Sequence, residues 1–229
     1  MNVVYEDNHI IIINKRPGEI VQGDKTGDTP LSEQLKQWLK VKYNKPGNVF
    51  VGVVHRLDRP VGGLVIFAKT SKALTRLNQM LRNGEIHKTY YALTFGLPEH
   101  AEGTLRHYIT TVEKNNKSYA SPKPSPGAKE AVLNYKLLAQ GDNYNLLEIE
   151  LLTGRKHQIR VQLSAAGCPI RGDLKYGARR SNPDGSISLM AHKLEFVHPV
   201  SGESICVEAP CPDEKIWHDL WPGNQVGEI

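Results

Sequence analysis

Cysteine is scarce: Cys168, Cys206 and Cys211 are the only three in 229 residues. A sparse, odd set gives no disulfide framework and suits a reducing compartment. A zinc site needs paired Cys or His at short spacing. Cys206 and Cys211 are the one close pair, and no second pair accompanies them. Long apolar runs are missing too. The longest, Ile10 to Ile13, is strand-sized, far short of the roughly 20 residues of a membrane span. The opening residues, MNVVYEDNH, carry acids where a secretory leader carries bases. No export signal is expected, and the expected location is cytoplasmic. Internal repeats and low-complexity linkers are absent as well. What is present is ordinary for a globular chain, with 39% hydrophobic and 23% charged residues. Lys and Arg outnumber Asp and Glu by 29 to 24, a net charge of +5. That excess favours a polyanionic partner such as nucleic acid without establishing one.

The pattern of residues predicts short strands at Val3–Tyr5 and His9–Asn14. A helix follows, capped by Thr29 with Pro30 in its first position, and apolar at Leu31, Leu35, Trp38 and Leu39. Gly63 to Ala68 reads as a central strand. Ser71 is expected to cap a helix that Gly84 ends. His87 to Phe95 reads as a strand, and the polar, proline-rich stretch from Glu113 to Lys129 as a loop or hairpin tip. Its lysines either face solvent or touch RNA. Ala131–Ala139 and Tyr144–Leu152 form a hairpin, and a helix is expected from His157 to Ala166. A basic loop, Arg171 to Arg180, precedes strands at Ser188–Phe196 and Ser204–Glu208 and a short helix near Asp213–Leu220. Strands and helices do not alternate as βαβ units. The expected class is α+β, one domain over residues 1–229, with a mixed, mostly antiparallel sheet flanked by helices.

Three stretches place charge where burial is expected. In Val53-Val54-His55-Arg56-Leu57-Asp58-Arg59-Pro60, a carboxylate follows an apolar strand between two guanidinium groups. Such an Asp suits a nucleophile kept ionised by its neighbours, or equally a structural ion pair closing a loop. In Thr153-Gly154-Arg155-Lys156-His157-Gln158-Ile159-Arg160-Val161, Arg160 neighbours the apolar face of a helix and either points inward or lies on the surface. An inward Arg needs a carboxylate, because an unpaired one costs several kcal/mol; Asp58 is a candidate. In Lys88-Thr89-Tyr90-Tyr91-Ala92, the two tyrosines of a strand point to opposite faces, so one can pack while the other stacks on a base.

Taken together these stretches resemble the RluA family of RNA pseudouridine synthases. His55-Arg56-Leu57-Asp58-Arg59-Pro60-Val61-Gly62-Gly63 is similar to the family's catalytic signature, and the tyrosine stretch to its second motif. Thr153 to Arg160 is similar to its third, and Gly172-Asp173-Leu174-Lys175-Tyr176-Gly177 to the segment after it. The order is the family's, from about Tyr5 to Pro210. Two departures are visible: Gly62 where the family usually has Ser, and Leu189-Met190-Ala191 where it usually has Leu-His-Ala. No counterpart of the N-terminal S4 RNA-binding domain of many relatives is recognised, so RNA recognition is expected to rest on the catalytic domain.

The resemblance implies that uridine in transfer or ribosomal RNA is isomerised to pseudouridine, with no metal or organic cofactor. Asp58 is then the catalytic carboxylate and Arg160 its partner. Tyr90 stacks on the base and assists removal of its C5 proton, and Leu189 packs against base or ring. A paired base must leave its stack to react, and Arg56 is placed to fill the gap. His55, Arg155 and His157 belong to the substrate-binding set, with Arg171, Lys175, Arg179 and Arg180 on phosphates. A structured RNA is the expected partner and a monomer the expected state. Two other classes are a non-catalytic RNA-binding protein of the same fold and a metal-dependent hydrolase, which would need a His and carboxylate cluster that the spacing does not show.

Overall fold

A computed structural model of the chain describes residues 1–24 and 26–223. In chain order the elements are β1 (Val3–Glu6), β2 (Ile10–Lys15), α1 (Leu31–Lys42), β3 (Gly52–Val53), β4 (Gly62–Ala68), α2 (Ser71–Asn83) and β5 (His87–Thr94). There follow β6 (Glu102–Val112), β7 (Lys117–Ser121), β8 (Lys129–Gln140), β9 (Asn145–Leu151), α3 (Gln158–Ala165), β10 (Leu189–Val197), β11 (Ser204–Glu208) and α4 (Lys215–Leu220). The class is the expected one, strands and helices around mostly antiparallel sheet. The chain divides into two compact units, one of Met1–His87 with Ala191–Ala209, the other of Lys88–Met190 with the segment from Pro210 onward.

In the first unit the strands lie in the order β1-β2-β4-β10, with β11 paired to β10 and β3 to β4. β2 and β4 are apolar at nearly every step and almost wholly buried, as strands covered on both faces are. α1 buries Leu31, Leu35 and Leu39, and α2 buries Ala73 and Leu77. The helix starts shift by one residue from expectation. Pro30, not Thr29, is the cap of α1; it keeps extended backbone, and no side chain caps the helix. Thr70, not Ser71, caps α2, its Oγ1 accepting the Ala73 N–H at 3.2 Å. Either residue can cap, and Thr70 is the one in the extended conformation the position needs. Gly84 ends α2 in the left-handed conformation, as expected.

In the second unit the order is β5-β9-β8-β6-β7, each neighbouring pair antiparallel. Of the two readings of Glu113 to Lys129, loop or hairpin tip, the structure takes the second, and the stretch is largely ordered. A 3-10 turn at Glu113–Asn115 leads into β7, which pairs with β6, and only 122–128 stays without regular structure. The sequence carries little sign of this arm because β6 buries Ile109 alone and β7 buries Ser118 alone. Without an apolar face there is no alternation to read.

Candidate active site

Asp58 lies in the first unit, on the loop between β3 and β4. The Val61 N–H donates to the Asp58 carbonyl at 3.0 Å, closing residues 58–61 into a turn. The turn is held by the end of β2. Lys15, 1% exposed, donates through Nζ to the carbonyls of Arg16 (3.0 Å), Arg59 (3.2 Å) and Val61 (2.6 Å). Gly18 N–H adds a bond to the Arg59 carbonyl at 2.8 Å. Burial pushes the Lys15 ammonium down to about 8, against the opposing pull of the Glu19 and Asp58 carboxylates. Behind the turn, Gly63 has φ +108°, and a Cβ there would meet the Ala191 carbonyl oxygen at 2.3 Å, so only glycine fits. At Gly62, where the family usually has Ser, a Cβ would sit 3.3 Å from the Pro17 ring.

The neighbours of Asp58 divide their tasks. His55 accepts the Ile66 N–H on Nε2 at 3.2 Å, which ties the loop to β4 and leaves any proton of a neutral ring on Nδ1. Arg56 is exposed and Leu57 buried. Arg59 reaches Asp28 and the Thr26 hydroxyl, so its charge is spent on a local ion pair.

Arg160 lies in the second unit on α3, all of whose residues from Gln158 to Leu163 are buried. It points inward, as one of the two sequence readings has it, at 5% exposure. Its Nε and Nη2 form a fork on Asp173, at 2.7 and 2.9 Å to the two carboxylate oxygens, and Asp173 is 1% exposed. Bidentate pairing of this kind fixes the guanidinium plane. The sequence assigns Asp173 no role; its one signal is its place in the Gly172–Gly177 segment. Tyr176, on the same turn, stands 5.0 Å from the Arg160 guanidinium by ring centroid. Its hydroxyl accepts the Ser118 N–H of β7 at 2.8 Å and shares a 2.7 Å hydrogen bond with His157 Nδ1. His157 itself is the N-cap of α3 with φ 56°, not its first helical residue as expected. The preceding loop is tied by Gln158 Oε1, which accepts the Thr153 hydroxyl (2.8 Å) and the Arg155 N–H (2.9 Å).

Tyr90 and Tyr91 on β5 stand opposite Ile149 and Glu148 of β9 and are both buried. Tyr91 meets the Trp221 ring edge-on at 5.2 Å, so its face is covered by the C-terminal segment; Tyr90, its neighbour along the strand, takes the other face. Leu189 opens β10 and is buried. The basic candidates fare differently. Arg171 is locked by Glu214 at 2.6 Å and by the Ser188 hydroxyl at 3.0 Å. Lys175 donates to the Asn116 carbonyl, and Arg155 to the Glu130 carbonyl. Arg179 and Arg180 are at the surface, Arg179 lying 5.1 Å from the Phe95 ring centroid. Among the described residues no group of three or more His, Cys, Asp or Glu is placed to hold a metal ion, and no helix is long and apolar enough to cross a membrane.

Comparison with known proteins gives this geometry a setting. A family model described as RNA pseudouridylate synthase matches residues 9–165. An uncharacterized RNA pseudouridine synthase of Bacillus subtilis, YhcT, is 34% identical over 215 residues, covering 93% of this chain and 69% of that protein. Ribosomal large subunit pseudouridine synthase D of Vibrio cholerae is 32% identical over 235 residues, covering 94% of this chain and 69% of that protein. In structure the chain is similar to human RNA pseudouridylate synthase domain containing 4, with a TM-score of 0.78 at 23% identity, over 94% of this chain and 90% of the other.

Proposed function

The chain belongs to the RNA pseudouridylate synthase family, and from that premise we propose that it isomerises uridines of a structured RNA with Asp58 as the catalytic carboxylate. The bond from C1′ to N1 breaks, the base turns, and C1′ bonds to C5. The C5 proton leaves and N1 gains one, so composition and oxidation state are unchanged. Asp58 acts either on C1′ or on the 2′ proton. The observation that carries this reading is the clamp on its turn: the carbonyls of residues 59 and 61 both end on the buried Lys15 ammonium. A carboxylate displayed on so fixed a backbone keeps its aim through a reaction in which the base must turn.

In this reading Arg160 is the cationic partner of Asp58, its plane set by Asp173. Tyr90 stacks on the base and assists proton removal at C5, Leu189 packs beside it, and Arg56 fills the gap left by the flipped nucleotide. Lys175, Arg179 and Arg180 take phosphates; Arg171, held by Glu214, shapes their loop. Of the two expected substrates, transfer or ribosomal RNA, relatives named for the large ribosomal subunit support the second. The expected single catalytic domain comprises both units, acting as a cytoplasmic monomer.

Asp58→Asn tests the proposal. The variant is nearly isosteric and uncharged, so RNA binding and melting temperature are expected to hold while tritium release from C5-labelled uridine RNA disappears. Substantial turnover by this variant would remove the carboxylate from the mechanism. Absence of turnover in the parent on every stable RNA tried would favour a protein that binds RNA without modifying it.

A further inference from the structure

Outside the groups assigned to the reaction, the first unit carries an aromatic ring collared by cations. Tyr43 follows the last turn of α1 and is 46% exposed. Around its ring centroid lie three ammonium groups: Lys69 at 5.0 Å, Lys42 at 5.4 Å and Lys45 at 5.7 Å. Lys42 also stands 4.5 Å over the half-buried Trp38. The ring is pinned from below. Its hydroxyl donates to Glu6 Oε1 at 2.7 Å, and the same carboxylate takes Lys69 on Oε1 and Lys42 on Oε2. Burial acts to raise the Glu6 pKa, and the three donors overcome it and hold it at about 2.

The helix macrodipole accounts for Lys40 and Lys42, which fall in the last turn of α1. It does not account for Lys45, beyond the helix, or Lys69, at the end of β4. Among the described ion pairs, one carboxylate, Glu6, serves two of these cations, Lys42 and Lys69, and Lys45 is in none. A phosphate-lined strand with flat bases matches both halves of this surface: the base stacks on an immobilised ring while flanking phosphates lie on ammonium groups. An acidic peptide would use the lysines and leave the tyrosine face without a purpose.

We propose that the Tyr43 collar is a second RNA-docking surface, which holds a single-stranded nucleotide of the substrate outside the reacting site, its base on Tyr43 and a flanking phosphate on Lys45. This rests on the reading of the chain as an RNA-modifying enzyme and adds where else the RNA touches it. The collar sets affinity for the RNA body and leaves the chemical step alone.

The test uses the full chain and a labelled, unstructured oligouridine. Lys45→Glu removes no partner of Glu6 and touches no buried group. It is expected to lower oligouridine affinity at least tenfold at low salt and to reduce the log–log salt slope by about 0.7 for each phosphate no longer neutralised. Tyr43→Ala, checked by thermal melting, is expected to weaken binding about tenfold with the slope unchanged, as stacking losses do. Tritium release at saturating RNA stays at the parental rate in the charge-reversal protein. Isotherms and slopes that coincide with the parent's would overturn the inference, including the case where an oligoglutamate peptide binds the collar and RNA does not. Failure of the parent to form pseudouridine would strike the enzymatic reading instead, leaving the isotherms to decide the collar.

Discussion

Lys15 ends a run of four isoleucines and an asparagine, and nothing in that order marks it as a clamp; a strand-end lysine ordinarily reaches water with its ammonium. Its role depends on carbonyls 44 and 46 residues away, which no spacing reveals. Asp58 and Arg160 are legible because their motifs are local runs, whereas Asp173 is not, because a loop separates it from the arginine it holds. The depressed Lys15 pKa has a signed consequence. In the folded chain the ammonium loses its proton near pH 8, and in the unfolded chain near the ordinary lysine value of 10.5. Between those values the unfolded state binds more protons, so this group adds stability as pH rises from about 8 to 10.5. Subtracting the profile of Lys15→Met from that of the parent, by denaturant midpoints across that range, should leave this rising limb. A flat difference would mean the ammonium is no harder to charge when folded. The variant also takes the Lys15 donor from three carbonyls, two of which keep a backbone N–H from Gly18 or Glu19, and turnover should fall on the order of 10–100-fold as the Asp58 turn loosens.

At the scale of elements, apolar strands and amphipathic helices are readable and the β6–β7 arm is not. β2 and β4 announce themselves through unbroken apolar runs, and α1 through Leu31, Leu35 and Leu39. The arm is held by hydrogen bonds, and these leave no periodicity. Tyr176 supplies one of them, accepting the Ser118 N–H of β7 while packing by Arg160. Tyr176→Phe keeps the ring and deletes the acceptor. We expect a loss of about 1 kcal/mol and faster amide exchange at Ser118 and its neighbours in β7, with α1 and α2 in the other unit exchanging as before. Uniform acceleration across both units would show that the hydroxyl serves global stability and not the arm.

For the whole molecule, a net charge of +5 predicts affinity for RNA that falls with salt. Arg179 and Arg180 are the surface members of the basic loop, so replacing both by Ala should lower the slope by roughly 0.7 per phosphate and weaken different RNAs alike. An unchanged slope would move the RNA path to the lysines of the β6–β7 arm. The division into two units is invisible in the sequence, since composition does not shift at residue 87 or 191; packing in space, not residue type, draws that line. The division also sets an order of events during synthesis. The first unit needs residues 191–209 to supply β10 and β11, yet its other strands leave the ribosome before the whole 88–190 segment. At about 5–20 residues per second, the edge of β4, which β3 covers only at Phe67 and Ala68, waits on the order of 5–20 s for β10. A nascent chain halted in that interval carries its Asp58 loop behind an unfinished sheet, which makes it a natural client for chaperones and an easy one for proteases.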